Sequence, residues 1–128
     1  MALGLSPTTA NAFLDALGNA ANYTADAAVW IQLHTADPGV AGTTSIATET
    51  TRKSASFGAA SGGSMANDVA LTWTSIAGSQ DATHFSAWSA STAGTFRFSG
   101  TITANAYTAG DTYTVAIGAL TVTFNTAA

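Results

Sequence analysis

Two histidines, seven acidic residues, three cations and no cysteine are the ionisable side chains, tyrosines apart, from which these 128 residues must build any chemistry. His34 stands three positions before Asp37, and His84 lies far along the chain, so a metal site or a nucleophile–base–acid arrangement is the first possibility to weigh. Zinc takes three or four Cys, His or carboxylate ligands, and two histidines without a surrounding motif do not supply them. His34 therefore reads as structural, bonded to the Asp37 turn or to a backbone carbonyl. No serine lies in Gly-x-Ser-x-Gly, the setting of a nucleophile elbow. Ser61-Gly62-Gly63-Ser64 has neither the lysine nor the following helix of a phosphate loop. The acids sit in apparent turns and strand ends, where carboxylates are solvated or turn-forming. Trp30, Trp73 and Trp88 have the chemistry of a sugar platform, but aromatics on alternating strands more often fill a core. The expectation is a non-enzyme with no catalytic residue, no metal and no cofactor.

The elements that must position these residues centre on Ala27–Gly39. Val29, Ile31 and Leu33 alternate with Trp30, Gln32 and His34, the period of a strand with two unlike faces. Asp37-Pro38-Gly39 then supplies a turn, forming with His34 a structural corner. Upstream, Ser6 reads as an N-cap and Pro7 as the first helical residue, with Ala10, Phe13, Leu14 and Leu17 making one apolar stripe and Gly18-Asn19 ending the helix. A helix of about three turns is marginal alone and must dock on its own domain or on a neighbour.

Downstream, strands are expected over Ser54–Phe57, Val69–Trp73, Thr83–Trp88, Thr95–Ile102, Tyr113–Ile117 and Leu120–Phe124, with Ala59–Ser64 as a flexible turn. Phe85 and Ala87 are expected to face inward, and Phe96 and Phe98 to share a face opposite Arg97. The fold class is mainly β: an antiparallel β-sandwich or barrel of about seven to eight strands with a short N-terminal helix. Residues 1–25 form an N-terminal arm and 26–128 the β-sandwich domain.

Charged residues make up 8% of the chain, against the ~25% of typical soluble domains. The polar surface must be Ser, Thr, Gly and Asn, which carries little charge repulsion and suits a protein covered by neighbours. Only Arg52, Lys53 and Arg97 are positive at a net charge of −4, so no basic stripe exists for nucleic acid or an anionic membrane. Met1–Leu5 has no basic residue, and no signal peptide is expected.

The segment Val29-Trp30-Ile31-Gln32-Leu33-His34-Thr35-Ala36-Asp37-Pro38 resembles the "V-x-L-H-T-A-D-P" stretch of small actinobacteriophage virion proteins. The likeness continues through Ser56–Ser64 and Asn67, Thr83–Trp88, Ala109–Thr112 and Gly118–Val122, covering most of residues 27–125. Members of that family are labelled tail fibre or minor tail proteins, and others look like capsid decoration proteins. The resemblance implies a virion structural protein. The motif does not separate those two; the leading expectation is a head decoration, or minor capsid, protein that cements the shell as a homotrimer on the major capsid protein. A tail-fibre or tail-tip module, touching host glycan through exposed Trp30 or Trp88, is the alternative. Phe13, Leu14, Leu17, Arg52 and Lys53 are the expected partner contacts.

Overall fold

The computed structural model describes residues 4–103, 106–124 and 126–127. Ser6 caps helix α1 (Pro7–Gly18) through its Oγ, which accepts from the Thr9 amide at 3.1 Å. The same hydroxyl donates to the Phe96 carbonyl at 2.7 Å, so the cap also fastens the helix to the sheet. Eight strands follow: β1 (Val29–His34), β2 (Lys53–Ala55), β3 (Ser64–Ala66), β4 (Leu71–Trp73), β5 (His84–Trp88), β6 (Phe96–Thr101), β7 (Tyr113–Val115) and β8 (Thr121–Thr123).

One sheet has the order β2-β1-β5-β6, and the shorter pairs β3–β8 and β4–β7 supply the rest, all antiparallel. Ile102 bridges to Leu120, tying the end of β6 to the start of β8. Among the described residues β2 does not pair back to β6, so the architecture is a mainly β sandwich and not a closed barrel. The arm is stitched onto the sheet edge: Leu5 bridges to Phe98, Ser6 donates to the Arg97 carbonyl at 2.8 Å, and Ser99 donates to the Gly4 carbonyl at 2.7 Å. That pairing covers an edge that would otherwise present open backbone groups.

Between the layers lies one apolar cluster that includes Ile31, Leu33, Phe85, Ala87 and Phe98 from the large sheet and Leu71, Trp73, Val115 and Leu120 from the short pairs. Phe85 and Ala87 face inward as the alternation predicts. The pair Phe96 and Phe98 does not share a face. The β5–β6 register sets Trp88 opposite Phe96 but Ala87 opposite Phe98, a bulge that leaves Arg97 as the extra residue. Phe98 therefore packs edge-on against Phe85 in the core, while Phe96 lies against Trp88 on the other face. At Gly100 a Cβ would come within 2.7 Å of the Phe85 ring and 2.8 Å of the Thr121 carbonyl, so only glycine fits between the layers.

Several boundaries differ from expectation. Strand β3 occupies the end of the stretch read as a flexible turn, because Ser64–Ala66 finds a partner in Thr121–Thr123, 55 to 59 residues away in sequence, and not in a local hairpin. Val69, Ile117 and Phe124 fall outside the strands and are exposed, at 55%, 66% and 48%. The alternating pattern runs on past the point where each strand loses its neighbour.

Candidate interaction surface and the histidine corner

The Asp37 turn is built locally. Asp37 Oδ1 accepts from the Gly39 amide at 2.8 Å, Thr44 donates to the Pro38 carbonyl at 2.9 Å, and Gly39 takes φ +76°, which glycine alone adopts without strain. His34 does not bond Asp37. Its Nδ1 lies 2.7 Å from the Thr44 carbonyl and its Nε2 2.7 Å from Ser86 Oγ, with the side chain wholly buried. A carbonyl only accepts, so Nδ1 carries the proton and Nε2 is the bare nitrogen. Ser86 Oγ then donates to Nε2 and accepts from Trp88 Nε1 at 2.7 Å. The chain Trp88–Ser86–His34–Thr44 is complete with a neutral imidazole. Burial holds the His34 pKa below its ordinary value; the Thr44 carbonyl works the other way, and the charges of His84 and Arg52 lower it further.

This network lies on the face of β1 and β5 turned away from the core, under the segment between β1 and β2. Arg52 closes it. Its guanidinium stands 4.2 Å from the Trp88 ring centroid and donates to the carbonyls of Ala90 at 2.9 Å and Ala93 at 2.7 Å and to Gln32 Oε1 at 3.2 Å. Trp88, which the tail-fibre alternative would expose to host glycan, is buried at 8% exposure between Arg52 and Phe96. Trp73 is core, with Nε1 donating to the Thr51 carbonyl at 2.8 Å, and Trp30 is half-buried. Of the three, Trp30 is the most exposed. Lys53 starts β2 and makes no ion pair among the described residues.

A second region surrounds helix α1. Thr9 is its one buried residue, while Leu14 and Leu17 are 64% and 84% exposed. Phe13 stacks edge-on with Tyr23 at 4.5 Å and Phe124 at 5.7 Å. Ala10, Phe13, Leu14, Leu17 and Phe124 thus form a continuous apolar groove with Leu5 at its edge. Beneath the helix is a cavity of about 310 Å³ walled by Phe13, Tyr23, Val29, Phe98 and Val122. Arg97 and Asp26 close one side through two hydrogen bonds of 2.7 Å, and this pairing raises the Arg97 pKa. So the stripe read from the sequence is real, but only its N-terminal part is docked.

Three buried polar groups escape a reading of the sequence. Asn67 holds the short strand pairs together: Nδ2 donates to the carbonyls of Val69 and Ala116, both at 3.0 Å, and Oδ1 accepts from the Leu120 amide at 2.9 Å. Glu49 accepts from the amides of Ala77 and Thr51, each at 3.1 Å; burial pushes its carboxyl up, but those bonds and Lys53 bring it below the ordinary value. Tyr113 packs on Tyr107 at 4.8 Å, and burial, with Tyr107 and Asp81 nearby, pushes its phenol up to about 12. The only advance sign of any of them was Asn67, by its place just before a strand.

No group of three or more His, Cys, Asp or Glu among the described residues is placed to hold a metal. Likewise, no described helix is long and apolar enough to cross a membrane. What the geometry offers is a rigid sandwich, a proton-defined corner and an apolar groove on a capped helix.

A search of curated proteins finds no match to the chain. The family profile described as podophage GP4 fiber I protein gp80 matches residues 4–123, nearly the whole chain, from the edge-pairing arm to the last strand. That match favours the tail-fibre expectation over head decoration. The chain belongs to the podophage GP4 fiber I protein gp80 family, and is a structural protein of the phage virion in the fibre class.

Proposed function

We propose that the protein is a non-catalytic module of a phage tail fibre, assembled as a homotrimer through the apolar groove on helix α1. The observation that carries this reading is the helix itself, which is capped, uncharged except for Asp15, and leaves Leu14 and Leu17 in solvent beside Phe124. Docking copies through this groove would remove large aliphatic surface from water at about 25 cal/mol per Å², against one helix charge per copy, Asp15. A net charge of −4 with three scattered cations fits protein neighbours better than nucleic acid or an anionic membrane.

Sedimentation equilibrium of the wild-type chain tests the assembly. A trimer that falls to monomer in Leu14→Ser/Leu17→Ser, with unchanged circular dichroism, supports the groove as the contact. A wild-type monomer at all concentrations counts against it. The resemblance to actinobacteriophage proteins makes actinobacterial cell-wall glycans the first host ligands to titrate, with Trp30 fluorescence in a Trp73→Phe/Trp88→Phe background as readout. A flat titration across the panel assigns the module to the fibre's framework and not to its receptor-binding tip.

A further inference from the structure

We propose that His34 is a proton-operated latch: taking up a proton at Nε2 releases the segment 35–47 from the β1–β5 face, while the sandwich beneath stays folded. The hydrogen-bond count carries the argument. In the neutral state every polar atom from Trp88 Nε1 to the Thr44 carbonyl has one donor facing one acceptor. A proton on Nε2 turns the imidazole into a second donor aimed at Ser86 Oγ, which already receives Trp88 Nε1–H, and the Ser86 hydrogen loses its acceptor. Among the described residues no ion-pair partner stands against His34 on that face. His84 on β5 lies directly across the strand pair, Arg52 packs over the sheet from the start of β2, and the covering segment brings Asp37, whose Oδ1 is engaged by the Gly39 amide. The two groups that act on His34 through their charge are thus cationic or able to become so, and burial adds to the penalty.

Water is then the available partner, and it reaches His34 by displacing the cover. That cover is held to the sheet by few bonds: Thr83 Oγ1 to the Thr35 carbonyl at 3.0 Å, the Ala47 amide to Leu33 within the bridge between His34 and Ile46, and the His34–Thr44 bond itself. Its release uncovers His34 and the Phe96 ring, against which Thr44 and Gly42 lie. The inference concerns a different part of the molecule from the helix groove and stands apart from the fibre reading.

Amide hydrogen exchange on the full chain, corrected for intrinsic rates, tests it. The expected result is an about tenfold or larger loss of protection at Thr35, Thr44 and Ala47 between about pH 7.5 and about pH 5, with Asn67 and Leu120 unchanged. The loss should persist in His84→Gln and vanish in His34→Gln. If His34→Gln does not fold, ¹⁵N-histidine spectra of the wild-type protein decide instead: Nδ1–H at neutral pH, titrating together with the exchange transition. Equal protection at both pH values, a transition that survives His34→Gln, or an Nε2–H tautomer at neutral pH would each overturn the latch.

Discussion

Asn67 offers the sharpest test of how the short strand pairs are held. It is 2% exposed, and its side chain makes three hydrogen bonds across gaps of two, 49 and 53 residues. Replacing it with leucine, of similar size, keeps the packing and deletes all three. The Leu120 amide belongs to a fully buried residue and cannot be reached by water, so its loss alone costs about 1–3 kcal/mol. Val69 and Ala116 are exposed residues whose carbonyls can be partly rehydrated, adding about 1 kcal/mol between them. The expected total is about 3 kcal/mol, or roughly a 10 °C fall in Tm for a domain of this size. Asn67→Asp should be comparably damaging near neutral pH, because it retains an acceptor for Leu120 but sets a carboxylate against two carbonyl oxygens. Urea unfolding at fixed protein concentration, followed by circular dichroism, measures both, with Asn22→Ala at an exposed site as control. A loss below 1 kcal/mol for Asn67→Leu, with an unchanged m-value, would refute the claim that this side chain staples the two pairs.

Three further outcomes follow from buried contacts. Gly100→Ala should destabilise by about 2 kcal/mol or more in the same unfolding assay, since the new methyl meets both the Phe85 ring and the Thr121 carbonyl. On the acid side, the folded His34 pKa lies below its unfolded value of 6.5, so the unfolded chain binds the proton first. Stability should therefore be complete above about pH 6.5 and decline below it by up to about 1.4 kcal/mol per pH unit until the folded pKa is reached, a slope that His34→Gln flattens. On the alkaline side the sign is opposite in pH: Tyr113 keeps its proton to about 12 when folded but loses it near 10 when unfolded. Stability should then fall as pH rises from about 10 toward 12, and Tyr113→Phe should remove part of that fall.

The sequence was legible where structure is local. Ser6-Pro7 marks a helix start through its own chemistry, and the β1 alternation survives because β2 pairs with Val29–Ile31 and β5 with Trp30–His34, so every residue has a strand neighbour. It was illegible where a long-range partner decides. The bulge at Arg97 reverses the facing of Phe96 relative to Phe98, and nothing in Phe-Arg-Phe signals it. Gln32, His34, Ser86 and Trp88 look like a solvent face by period, yet the returning 35–52 segment buries them. Strand β3 hides in a Gly/Ser-rich stretch because its pairing is with β8 and not with a near neighbour. Resemblance conveyed a virion role, but the motif around His34 describes a structural corner, which serves a head protein and a fibre protein equally. The match along residues 4–123 is what favours the fibre.

The most direct test of that assignment is the copy number of the chain per virion, by quantitative mass spectrometry of purified particles against the major capsid protein. A fibre protein predicts a small fixed number, far below the capsid subunit count and divisible by three if the module is a trimer. A ratio near one copy per capsid subunit would contradict the fibre account and return the protein to the head surface.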